Sequence, residues 1–155
     1  MTRTDKRLRL CILLLIANLT FIWGNSLLPA ETSRAISDWL QGILSGLFSG
    51  DAGGAAGGSG LLRKLAHFAE FCGLGLCLGW LFGMLKRNML RPFLWGVAAA
   101  CVDETIQLFV PERGPGILAV CIDAAGVAAG IGLLLFGYDL INRVKQSIQS
   151  GGKSK

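Results

Sequence analysis

The sequence predicts an all-α membrane protein: a four-transmembrane-helix bundle with a short interfacial amphipathic helix between the first and second spans. Three observations carry that prediction. Only 16% of the 155 residues are charged while 52% are hydrophobic, whereas a soluble domain carries about 25% charge. The apolar residues gather in runs of about 20, the length an α-helix needs to cross a bilayer. The basic residues sit beside those runs in alternate loops, which is how a membrane protein encodes its orientation. The net charge of +5 is therefore a topology signal, and no nucleic-acid partner is expected.

The first span is placed near 9–28. Its run "LCILLLIANLTFIWGNSLL" follows a basic start but lacks a small-residue cleavage site and exceeds a signal-peptide core. It reads as a retained helix. Next comes 31–48, where Ile36, Trp39, Leu40, Ile43, Leu44 and Leu47 recur at helical spacing; this is the amphipathic segment expected to lie on the membrane surface. Residues 49–60, "SGDAGGAAGGSG", read as a flexible glycine-rich linker. The second span covers 61–85 and the third 91–110. The sequence "PERGP" then supplies a turn before the fourth span at 116–138. Residues 139–155 read as a basic, solvated and partly disordered cytoplasmic tail.

Orientation follows from Lys and Arg near the spans. Arg3, Lys6, Arg7 and Arg9 precede the first, Lys86, Arg87 and Arg91 join the second to the third, and Arg143, Lys145, Lys153 and Lys155 follow the fourth. Both termini are expected to be cytoplasmic, with the linker and the "PERGP" turn outside. Under that topology the second span enters from the outer face, and His67 and Glu70 lie about 9–13 Å below its start. The third exits outward, with Asp103 and Glu104 about 9–11 Å below Val110. The fourth re-enters after Gly114 and brings Asp123 to a similar depth. Three helices thus carry ionisable groups to one layer, where each charge costs roughly 2.5–3.5 kcal/mol on insertion scales.

Helical direction points most of these groups inward. His67 heads a row continued by Phe71, Gly75, Gly79 and Gly83; Asp103 and Gln107 share a face with Gly96, Ala99 and Ala100; Asp123 shares one with Gly126 and Gly130. Small residues at such spacing let helices approach closely in lipid. Glu104 lies about 100° from Asp103, toward a flank. Cys11, Cys72, Cys77, Cys101 and Cys121 all fall inside spans without metal-type spacing, so they read as packing residues with no disulfide.

Two chemical readings compete with a purely structural one. In the first, His67, Glu70 and Asp103 form a catalytic group. Lys64, Glu104, Gln107, Arg113 and Asp123 then line a substrate site, with Lys64 and Arg113 holding an anionic group. In the second, His67, Glu70, Asp103 and Asp123 ligate a divalent metal; a single histidine disfavours this, and the cofactor stays open. The structural alternative makes the charges interhelical fasteners, through Lys64–Asp123 or Arg113–Asp103 pairs, each worth about 0.6–2 kcal/mol, while Arg63 and Lys64 snorkel to headgroups.

Taken in order, "KLAHFAEF" (64–71), "DETIQLFVPERG" (103–114) and the glycine-spaced last helix resemble the VanZ-like family of small bacterial membrane proteins. The first span agrees through "NSLLPAETSRAIS", with Ser26, Pro29, Ser33 and Ser37. The resemblance covers about residues 15–135, within a membrane domain of 1–138. It implies a multi-pass protein of the bacterial cytoplasmic membrane whose family namesake is associated with teicoplanin resistance. It also implies Lys64, His67, Glu70, Asp103, Glu104, Gln107 and Arg113 as motif residues. Two departures stand out: Phe71 where the family often has Tyr, and Ala119 where it usually has Asp. The function expected is binding or modification of a lipid-linked or lipid-tailed amphiphile at an outer-leaflet polar pocket. Membrane lipids and such an amphiphile are the expected partners. The alternative is a small transport or adaptor subunit, working as an oligomer, or a catalytically inactive relative; whether the protein is an enzyme is left open.

Overall fold

The computed structural model describes residues 2–47, 58–112 and 116–151. These form five helices: α1 (Arg3–Ser26), α2 (Ala30–Leu47), α3 (Gly58–Met84), α4 (Leu90–Gln107) and α5 (Ile117–Gly151). The described residues contain no strand. α1 starts earlier than hydropathy places it, because Thr2 and Asp5 form a reciprocal capping box that satisfies the first amides. α3 ends on a Schellman-type closure in which Arg87 donates to the Phe82 carbonyl and Lys86 to that of Gly83. Lys86 takes the left-handed conformation there, with φ of 50°. Residues 48–57, which include most of the glycine-rich linker, lie outside the described residues, as do 113–115 of the turn and 152–155 of the tail.

α3 is the hub, in contact with each of the other four helices and most extensively with α5. Ile22, Phe71, Leu74, Leu78, Ala100, Val127 and Ile131 form the buried core. Glycine makes the α3–α5 approach possible. A Cβ on Gly126 would stand 2.5 Å from the Phe68 carbonyl oxygen, and one on Gly130 would run into the Cys72 carbonyl and lie 2.8 Å from the Leu76 nitrogen. From the α3 side, Gly75 faces the backbone of Val127 in the same way. Gly96 on α4 leaves room for the Val127 side chain.

Three helices are long and apolar enough to cross a membrane: Thr4–Ser26, Leu61–Met84 and Ile117–Gln149. Around the bundle, large apolar side chains such as Leu13, Leu94, Leu118 and Phe136 face outward, as expected when the surrounding medium is lipid. The expected third span, α4, does not meet the same measure. It has 18 residues and carries Arg91, Asp103 and Glu104. Ile36, Trp39 and Ile43 on the apolar face of α2 are exposed, so the bundle does not cover that face. A further difference from the sequence reading lies at the end of the chain. α5 does not stop near 138 but continues helically through 139–151, with 139–149 exposed. The Arg143 Nε–Asp139 Oδ2 contact of 2.6 Å, one helical turn apart, belongs to that extension.

Candidate functional site

The ends of α3, α4 and α5 that carry the polar residues meet at one end of the bundle. On α3, His67 stands one turn before buried Phe71; on α5, Asp123 stands just before Gly126. The close backbone approach at Phe68–Gly126 therefore sets the distance between these two side chains. His67 Nδ1 lies 3.9 Å from Asp123 Oδ1 and 4.0 Å from Asp103 Oδ2. Both carboxylates are almost wholly buried, Asp103 at 0% and Asp123 at 1% exposure. These separations exceed hydrogen-bond length.

A polar chain runs from this group across the bundle. The Gln107 Nε2 amide donates to Asp103 Oδ2 at 2.8 Å and to Ser26 Oγ at 3.4 Å. Its Oε1 accepts from an Arg63 terminal nitrogen at 3.4 Å. Gln107 thus ties α1 and α3 to α4 while orienting the Asp103 carboxylate. Asp103 Oδ1 and both Asp123 oxygens accept no hydrogen bond among the described residues. Such atoms are costly when dry.

One expected direction needs correction. Glu104 does not face a flank: it is buried, and its Oε2 accepts the Gly116 backbone amide at 2.9 Å. The last turn of α4 tucks beneath the start of α5, so a position 100° off the interior face still meets protein. Glu70 is not part of the His67–Asp103–Asp123 group; its Oε1 accepts from Asn25 Nδ2 on α1 at 2.9 Å. Asn25 was missed from sequence, although the polar pair Asn25–Ser26 closing an apolar run was its available signal.

Beside the group lies a cavity of about 320 Å³. Arg63, Lys64, His67, Glu104, Gln107 and Asp123 supply its polar wall, while Leu118, Ala119 and Ile122 of α5 supply an apolar one. Lys64 is exposed and borders this space rather than pairing with Asp123, whose ion-pair partner among the described residues is His67. Arg113, and with it the expected Arg113–Asp103 pair, lies outside the described residues. A second cavity of about 440 Å³ opens between α1, α3 and α4 and is lined entirely by apolar residues, among them Leu15, Trp23, Leu78, Phe82 and Trp95.

The arrangement offers buried carboxyl oxygens beside an imidazole, reached from a space with a cationic border. That combination suits proton transfer, cation binding or capture of an anionic head. A family model described as VanZ/LLP1 matches residues 8–139. No curated protein and no solved structure matches the chain. Since the match runs from the first turns of α1 into α5 and takes in all of the polar group, the chain belongs to the VanZ/LLP1 family.

Proposed function

We propose that this protein binds or modifies a lipid-linked or lipid-tailed amphiphile at the outer leaflet of the bacterial cytoplasmic membrane, and so alters sensitivity to teicoplanin. The observation that carries the reading is the two-sided cavity beside His67, with Arg63 and Lys64 on its polar wall and Leu118 and Ile122 opposite. An anionic head meets the guanidinium and ammonium groups, and an acyl tail continues along apolar helix surfaces. The apolar cavity lined by Leu78, Phe82 and Trp95 offers further room for such a tail.

The membrane placement behind the proposal has four crossings. α4 packs against α1, α3 and α5. Its 18 residues span about 27 Å, close to the hydrocarbon thickness. Its charges are accommodated because Asp103 and Glu104 are buried in protein. α2 then lies in the headgroup layer with Ile36, Trp39 and Ile43 toward the acyl chains. His67, Glu70 and Asp103 are the working groups, and Lys64, Glu104, Gln107, Arg113 and Asp123 hold the ligand.

The test is teicoplanin susceptibility in a sensitive host expressing wild type or His67→Gln, normalised to folded protein in the membrane. Loss of wild-type protection in a well-folded mutant is the expected result. Equal protection by the mutant removes His67 from the mechanism, and absence of protection by wild type overturns the teicoplanin assignment.

A further inference from the structure

We infer that His67, Asp103 and Asp123 form a divalent-cation site, taking an ion of borderline hardness such as Mn²⁺ or Zn²⁺. The inference rests on the geometry and burial of these three residues and holds independently of the amphiphile proposed above. Their ligand atoms, one from each side chain, all lie within 4.8 Å of one another. His67 Nδ1 is 3.9–4.0 Å from an oxygen of each carboxylate, too long for direct hydrogen bonds. The same lengths are just under twice a metal–ligand bond of about 2.1 Å. An ion at the centre of such a triangle lies at most about 2.5 Å from each atom, inside the range of oxygen-ligated divalent cations. A few tenths of an ångström of side-chain movement then reaches Mn²⁺ or Zn²⁺ bond lengths.

Burial points to a ligand independently of spacing. Asp123 is 1% exposed and neither of its oxygens accepts a hydrogen bond among the described residues; Asp103 is fully buried and its Oδ1 is in the same condition. Two adjacent carboxyl groups in a dry site carry charge only where something compensates it, and a proton or a metal cation can fill that role. A single imidazole supplies at most one positive charge. Gln107, donating to Asp103 Oδ2 at 2.8 Å, occupies the place of an outer partner that orients a ligand. The donor set of one imidazole and two carboxylates suits Mn²⁺ and Zn²⁺ better than soft ions, which prefer thiolates. His67 and Asp123 border the cavity, so the ion's remaining positions face it and are open to water or to an anionic oxygen.

The experiment uses the full chain purified in detergent and treated with chelator. Titration with Mn²⁺, followed by loss of the free-ion EPR signal, is expected to give one saturable site per chain that Zn²⁺ displaces. Asp123→Asn and His67→Gln are each expected to weaken binding by at least tenfold, while Glu31→Gln on the exposed face of α2 leaves it unchanged. Stability supplies a second readout that does not need tight binding. Wild type melts higher with Mn²⁺ than with chelator, whereas Asp123→Asn loses this shift and, in chelator, melts no lower than wild type. No saturable binding at millimolar Mn²⁺, or binding unchanged in both variants, overturns the site. So does an Asp123→Asn protein that is destabilised in chelator while wild type ignores the ion, since the carboxylate's partner is then a fixed protein cation. Should Asp123→Asn not fold, the His67→Gln titration and melt decide alone.

Discussion

Gly126→Ala separates the close α3–α5 contact from every other source of stability. The added Cβ would sit 2.5 Å from the Phe68 carbonyl oxygen, 3.1 Å from Phe71 Cβ and 3.2 Å from the Cys72 nitrogen. Two of these are backbone atoms of a continuous helix and have no rotamer through which to retreat. Restoring the 3.4 Å of ordinary contact requires the helices to part by about 0.9 Å. Overpacking of this kind costs about 1–3 kcal/mol, from which the better helix propensity of alanine recovers up to about 1 kcal/mol. The expected net loss is about 0–2 kcal/mol, with Gly130→Ala toward the upper end because its Cβ meets Cys72 and Leu76 backbone. Gly132 and Gly137, on the same helix, have nothing within 4 Å. Alanine there is expected to be neutral or to stabilise by up to about 1 kcal/mol. The assay is unfolding by SDS titration in mixed micelles, followed by tryptophan fluorescence, on all four variants. If Gly126→Ala and Gly130→Ala unfold together with the Gly132 and Gly137 variants, the backbone contact does not hold the bundle and the reasoning fails.

Two further predictions concern the turn and the crossings. Glu104→Ala removes the acceptor of the Gly116 amide and is expected to cost about 1–3 kcal/mol, with Glu104→Gln losing less; SDS titration reads the loss, and faster hydrogen exchange at Gly116 locates it. In a cysteine-free background, an impermeant thiol reagent added to intact spheroplasts is expected to label Glu112→Cys and to spare Lys86→Cys, because the proposed crossing by α4 puts the two positions on opposite sides of the membrane. Equal labelling of both refutes the crossing by α4.

The sequence made the helices legible because length and hydropathy act through the same bilayer constraint. It also made the facing legible where glycine marked it, as at Gly75, Gly126 and Gly130. It was weakest where neighbours, not period, decide a residue's surroundings. Glu104 sits off the interior face of its own helix, and only the start of α5 folding over it makes that side protein. Nothing local in "CVDETIQ" encodes this. The 139–151 segment reads from sequence as part of a basic, solvated tail, yet helix continuation needs only adequate propensity and a pair such as Asp139–Arg143. Hydropathy reports where lipid ends, not where a helix does. Spacing of three makes Glu70 a partner of His67 on sequence grounds; the structure also gives it Asn25 on α1, a contact outside any local window.

The same glycines that close the α3–α5 contact fix where the site can be. Where Gly130 and Gly126 meet the α3 backbone, the gap is too narrow for any side chain. One step toward the start of α5, Asp123 and His67 stand 3.9 Å apart, and one turn further Ala119 and Leu118 border open space. The helix pair is thus zipped below and parted above, and Asp123 is the first residue of α5 with room for a polar side chain. That bears on Ala119, the position where the family resemblance implies an aspartate. It lies one turn, about 6 Å, nearer the start of α5 than Asp123 and borders the same cavity as His67 and Asp123. A carboxylate there would add a negative charge to the wall of that cavity. Alanine leaves the wall less anionic beside Lys64, and the buried His67–Asp103–Asp123 arrangement is present without it.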